Sequence, residues 1–132
     1  MDYVLSKFEK AKQRPNHTKF KYQNKTDIFS RTAESKRIRL KYPDRIPVVC
    51  ESLDPEVELD KNKYLVPSDL TVGQFLYVIR RRIRLGPEKA LFLFSEHGTL
   101  PPTSQILSTL YETEKNKDGF LYYGVTTENT FG

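Results

Sequence analysis

SDLTVGQFLYVIRRRI, residues 68–83, decides the reading of the fold. Val72, Phe75, Leu76, Ile79 and Ile83 recur at the 3.6-residue helical period, so the segment predicts one long helix with a single apolar face. Ser68-Asp69 marks its start and Gly86-Pro87 its end. Such a helix needs an apolar surface to cover, and the flanking sequence offers strands. Ile46–Glu51 is β-branched and apolar, and Lys63–Val66 is a second short run. The acidic, Pro55-containing stretch from Ser52 to Asp60 joins them as neighbours in an antiparallel pair. Downstream, Ala90–Phe94 reads as a short buried strand and Ser104–Glu112 as a brief helix. After the turn signal Lys117-Asp118-Gly119 comes a last strand, Phe120–Val125.

Upstream, Asp27 caps a helix running to about Lys41, with Ile28, Phe29, Ala33 and Ile38 as a partial apolar face and Pro43 as its stop. Asn16 to Lys25 is polar and basic without sustained period, and reads as a linker or irregular arm. Residues 2–14 place Val4, Leu5, Phe8 and Ala11 on a short helical stripe among lysines, a pattern suited to an anionic membrane surface. The element order gives the class α+β. It is the order of a β-grasp (ubiquitin-like) fold, a four-stranded mixed sheet around a long helix, with additional N-terminal helices on the sheet's other face. The expected divisions are a basic N-terminal extension over 1–26, a domain over 27–127 and a flexible tail over 128–132.

At 132 residues there is room for one domain with one modest core. A lone cysteine, Cys50, cannot close an internal disulfide, and no early apolar run resembles a signal peptide, so a cytoplasmic chain is expected. No stretch approaches the roughly 18 apolar residues that cross a bilayer. Charge is uneven: residues 1–45 carry 13 Lys/Arg against five Asp/Glu, and residues 46–132 carry nine against twelve. The basic third suits nucleic acid, anionic lipid or acidic peptides alike. His17 and His97 stand apart from each other and from any carboxylate pattern, and no phosphate loop, nucleophile elbow or paired catalytic carboxylates appear. Neither a catalytic nor a metal site is expected.

Three stretches carry a resemblance: KYPDRIPV at 41–48, YLVPSDLTVGQF at 64–75 and ENTFG at 128–132. Together they resemble the autophagy ubiquitin-like modifiers, the family that includes GABARAP, from Ile28 to Gly132. Where that family places a Phe, two spacers and an Arg, this chain has Asp27-Ile28-Phe29-Ser30-Arg31, with the Phe one residue late. Residues 1–19 are an extension on which the resemblance is silent.

The resemblance implies a modifier rather than an enzyme, with no cofactor beyond a phosphatidylethanolamine joined covalently to Gly132. Activating and conjugating enzymes would load that glycine, whose lack of a side chain suits a tail threading narrow channels. Most family precursors carry residues beyond the glycine that a processing and deconjugating cysteine protease removes. This sequence stops at Gly132, by nature or after such processing. The chain would be a cytoplasmic monomer before conjugation and sit on autophagosomal membrane afterwards, bound by its lipid anchor.

Cargo receptors bearing aromatic-x-x-aliphatic motifs would add a strand to the edge at Lys63–Val66. By resemblance the aromatic pocket comprises Glu34, Ile38, Pro47, Val49, Lys63, Leu65 and Phe120. The aliphatic pocket comprises Tyr64, Val66, Pro67, Leu70, Phe75 and Val78. Arg45, Lys61, Lys63 and Arg82 would meet acidic residues flanking the motif. Phe92 and Phe94 resemble positions on the face opposite the groove, one core and one touching the conjugation machinery. The competing reading is a basic nucleic-acid-binding module resting on the N-terminal charge, but no aromatic-rich strand motif of an RNA-binding fold accompanies it.

Overall fold

A computed structural model describes residues 20–129, with residue 129 as backbone only. The expected helix over 2–14 and the conjugation residue Gly132 lie outside the described residues. In chain order the elements are α1 (Lys21–Lys25), α2 (Ile28–Lys41), β1 (Arg45–Ser52), β2 (Lys63–Pro67), α3 (Val72–Arg81), β3 (Lys89–Ser95), α4 (Leu107–Glu114) and β4 (Leu121–Asn129). The sheet order is β2-β1-β4-β3, with β1 parallel to β4 and both outer pairs antiparallel.

The central helix α3 starts later than Ser68-Asp69 suggested, because Thr71 and Gln74 close a reciprocal capping box. Thr71 Oγ1 accepts from Gln74 N at 3.1 Å, and Gln74 Oε1 accepts from Thr71 N at 2.9 Å. Residues 68–71 instead form a turn and a single bridge tied to the start of α4 and the residues before it: Leu107 N donates to Leu70 O, Ser108 N to Ser68 O, and Val72 N to Gln105 O. At its other end the helix stops at Arg81, before Gly86-Pro87. Arg82 N there turns back to Ile79 O in a tighter turn, and Arg80 Nη2 takes the Gly86 carbonyl at 3.1 Å.

Val72, Phe75 and Ile79 of α3 are fully buried, with Leu76 and Ile83 partly so. They pack on the sheet face made by Ile46, Val48 and Cys50 of β1, Tyr64 and Val66 of β2, and Leu121, Tyr123 and Val125 of β4. Strand alternation turns Val49 and Tyr122 to the opposite face, where Phe20, Tyr22 and Phe120 form a second cluster with Ile38. The stretch 16–25 is therefore not simply a linker: its last residues include α1, and Phe20 and Tyr22 are core. Glu51, itself buried, fixes them by accepting from the backbone N–H of Lys21 (2.7 Å) and Tyr22 (3.0 Å). Likewise Glu128 and Asn129 pair with Ala90 and Lys89, so β4 reaches into the segment expected to be tail.

α2 departs most from its sequence reading. Asp27 caps it, accepting from Ser30 N at 2.9 Å, but Phe29 and Ala33 are exposed and the buried side chain is Ser35. Polar contacts hold the helix down. Arg31 Nε meets Asp118 Oδ2 at 2.9 Å, its Nη1 donates to the carbonyls of Gln23 and Thr26, and Ser35 Oγ donates to the Asp118 carbonyl. Ser35 lies against Gly119, whose φ of 93° and lack of a Cβ allow the close approach.

Candidate functional site

Cys50 N donates to Asn62 O, so the even residues of β1 turn their backbone groups toward β2. By alternation, Pro47 faces away from β2, and its missing N–H removes nothing from that ladder. On β2 the same alternation points the N–H and C=O of Lys63 and Leu65 outward, since Val48 pairs with Tyr64 and Ile46 with Val66. β2 is a sheet edge, so these groups form an unpaired strand template. Arg45 Nη1 reaches the Leu65 carbonyl at 3.3 Å.

On the α2 side of this edge the structure brings together the whole expected aromatic set. Val49 and Phe120 are completely buried and form a floor, Pro47 is buried beside them, and Ile38 packs on the same cluster. Leu65 is 38% exposed and stands at the rim. Glu34 accepts from Lys63 Nζ at 2.9 Å and from Tyr22 OH at 3.0 Å, while Lys63 Nζ also lies 4.4 Å from the centre of the Tyr22 ring. Burial opposes the charged form of Glu34. The two hydrogen bonds, together with the charges of Lys63 and Arg37, outweigh it and hold the carboxyl below its ordinary range.

On the α3 side, Tyr64, Val66 and Phe75 are core residues, Tyr64 and Phe75 meeting edge-on at 5.7 Å. Burial pushes the Tyr64 hydroxyl up to about 12, and that hydroxyl donates to Lys61 O at 3.2 Å. Of the expected aliphatic set, Pro67 and Val78 are exposed and Leu70 partly so. Leu70 and Val78 open onto a hollow of about 490 Å³ shared with Gln74, Tyr77 and Thr103. β2 thus has the Glu34–Lys63 pair and the buried Val49–Phe120 cluster on its α2 side, and its own Tyr64 and Val66 packed toward α3 on the other.

A sequence model described as autophagy protein Atg8, ubiquitin like, matches residues 30–132. The chain belongs to the Atg8 family. Autophagy-related protein 8 of Schizosaccharomyces pombe is 62% identical over 111 residues, spanning 80% of this chain and 91% of the relative. Autophagy-related protein 8 of Mycosarcoma maydis is 56% identical over 113 residues, spanning 84% and 95%. Among solved structures, Trypanosoma brucei ATG8 superposes with a TM-score of 0.78 at 42% identity, covering 86% of this chain and 98% of that one. Plasmodium falciparum Atg8, solved in complex with a Plasmodium falciparum Atg3 peptide, gives 0.71 at 30% identity, covering 81% and 95%. As an Atg8 family member the protein is an autophagy ubiquitin-like modifier and not an enzyme.

The remaining Atg8-type positions fall less uniformly. Phe92 is half-buried and Phe94 buried, against Leu53 and over Gly124, where a Cβ would collide with the Phe94 ring. They are not on the opposite sheet face. Phe94 pairs with Gly124 and Gly124 with Glu51, which puts both phenylalanines on the α2 side of the sheet but at the far edge, β3. Lys61 lies over the Tyr64 ring at 4.8 Å, and Arg82 meets Asp60 at 3.4 Å with both side chains largely exposed, a pair worth little. Tyr22, which completes the Glu34–Lys63 contact, was missed. Its one sequence signal is the spacing of Phe20 and Tyr22, two aromatics two residues apart in a polar stretch. Sequence reasoning also missed a hollow of about 590 Å³ between α1 and the loop before β2, lined by Lys21, Lys25, Glu58 and Lys61 among others. Among the described residues no helix is long and apolar enough to cross a membrane.

Proposed function

We propose that this modifier is joined through Gly132 to phosphatidylethanolamine and, on autophagosomal membrane, holds aromatic-x-x-aliphatic segments of cargo receptors along β2. The observation that carries the groove is the open edge of β2, with outward backbone groups at Lys63 and Leu65, the Glu34–Lys63 pair on its α2 side, and Leu70 and Val78 at a hollow beyond it toward α3. An added strand supplies its own N–H to the Leu65 carbonyl in competition with Arg45. Its aromatic side chain seats over Val49 and Phe120 beside the Glu34–Lys63 pair, and its aliphatic side chain enters beside Leu70 and Val78. Acidic flanking residues of the motif meet Arg45, Lys61 and Arg82.

The conjugation half rests on family membership and on the ENTFG ending. Activating and conjugating enzymes carry Gly132 as a thioester, and the lipid amine displaces the carrier thiol to form an amide. A cysteine protease processes the precursor and reverses the linkage. The Plasmodium relative's complex with an Atg3 peptide supports peptide binding within the family. Before conjugation the chain is a cytoplasmic monomer. Two acyl chains, at about 0.8 kcal/mol per buried CH₂, then give stable anchoring.

Two separate arms test this. In reconstitution with activating and conjugating enzymes and phosphatidylethanolamine liposomes, the full chain forms a faster-migrating, membrane-bound species and the Gly132 deletion does not. An adduct in the deletion variant rules out this glycine. For the groove, Leu65→Ala with Val78→Ala lowers affinity for an aromatic-x-x-aliphatic peptide at least tenfold, about 1.4 kcal/mol. Both residues are exposed, whereas Tyr64→Ala would damage the core. Unchanged affinity places the groove elsewhere.

A further inference from the structure

The outward half of α2 is exposed from end to end. Phe29 is 83% exposed and Leu40 85%, with Ala33 exposed between them. At 100° per residue the three lie on one side of the helix, opposite the buried Ser35. Lys36, Arg37 and Lys41, also exposed, border that row. The face bears no carboxylate: Glu34 turns toward Lys63 and Tyr22, and Asp27 is engaged as the N-cap. The late Phe of the Asp27–Arg31 stretch produces this. Ile28 is half-buried, Arg31 reaches inward to Asp118, and Phe29 is left pointing out.

Single exposed apolar residues are ordinary on a protein surface. Two large ones, almost wholly in water, stand on one helix side among cations whose long stems can lie along an apolar surface while their charges stay in water. We propose that this face of α2 docks on an anionic phospholipid surface. Phe29 and Leu40 seat among the acyl carbons nearest the headgroups, and Lys36, Arg37 and Lys41 pair with the lipid anions. The geometry favours a membrane over a protein partner. Phe29 and Leu40 stand about 16 Å apart along the axis, at 1.5 Å per residue, with cations beside them. That spacing suits a plane, whereas a protein hot spot centres on contiguous apolar contact. The proposal stands independently of conjugation at Gly132.

The test uses the full, unconjugated chain, residues 1–19 included, in flotation with vesicles of phosphatidylcholine alone or mixed with phosphatidylserine. Expected are binding to the mixed vesicles only, and release as salt shortens the screening length. Lys36→Glu with Arg37→Glu and Lys41→Glu lowers partitioning at least tenfold, since each basic residue at an anionic leaflet is worth roughly a factor of five. Phe29→Ser with Leu40→Ser lowers it at least tenfold. All five positions are exposed, so circular dichroism should stay native. The chain has no Trp, so Phe29→Trp supplies a single reporter whose emission shifts to the blue on the mixed vesicles. Wild-type flotation by both variants overturns the proposal, as does unshifted emission from the Phe29→Trp reporter on vesicles that do float. If the charge-reversal variant loses binding to polyglutamate while its flotation is unchanged, the partner is an acidic protein and the membrane reading falls.

Discussion

Arg31→Ala should be strongly destabilising although α2 keeps its outer side in solvent. The guanidinium is 11% exposed and faces an Asp118 carboxylate that is fully buried. The Asp118 carboxylate also accepts from Tyr122 OH at 2.5 Å and Phe120 N at 2.8 Å, so it cannot turn out to water when its cation is removed. The substitution also frees the carbonyls of Gln23 and Thr26, the contacts that tie α1 and the turn after it to α2. Removing one partner of a buried ion pair costs about 3–5 kcal/mol. The lower end, about 3 kcal/mol, applies here because the site lies near solvent. For a chain of this size that is about a 10 °C fall in the unfolding midpoint. Arg31→Lys keeps the charge but cannot span Asp118 and two carbonyls with one fork, so it should fall between. Far-ultraviolet circular dichroism on heating measures both variants. Because α2 carries Glu34 and Ile38, Arg31→Ala should also weaken motif binding without touching the groove. A midpoint within about 3 °C of wild type would refute the assignment of Asp118 as the anchor of α2.

Glu34 gives a pH dependence. Its folded carboxyl lies below the ordinary value of 4.5, so the unfolded chain takes up the proton first. The stability difference between wild type and Glu34→Gln should be present at neutral pH and disappear as pH falls below 4.5; a constant difference across acid titration contradicts this. Cys50 is completely buried, and burial, with Glu51 nearby, pushes its thiol up. Alkylation should follow global unfolding, and rapid labelling of the native chain would show that β1 opens locally.

What the sequence determined by itself are the parts set by local periodicity and turn chemistry. The apolar runs Ile46–Glu51 and Lys63–Val66, divided by the acidic Pro55 stretch, mark β1 and β2 as neighbouring strands. The 3.6 period of Val72, Phe75 and Ile79 marks α3. These signals are legible because each strand or helix must hide its own apolar face wherever it packs. The residue sets proposed for two pockets came from resemblance; the first set clusters beside β2, while the second divides between the core residues Tyr64, Val66 and Phe75 and the more exposed Pro67, Leu70 and Val78. Other features needed the tertiary structure. The α2 pattern of Ile28, Phe29, Ala33 and Ile38 promised an apolar face, but the helix docks through Arg31 and Ser35 on Asp118, a partner 87 residues from Arg31. A hydrogen bond that remote leaves no periodic trace. The same holds for α1, whose five residues are too few for a period and which is held by Glu51 across the chain. The position of Phe92 and Phe94 likewise depended on register, since only the pairing of β3 with β4 says which sheet face they share. Local patterns record what a residue must avoid in water, and tertiary structure alone selects which distant group takes the water's place.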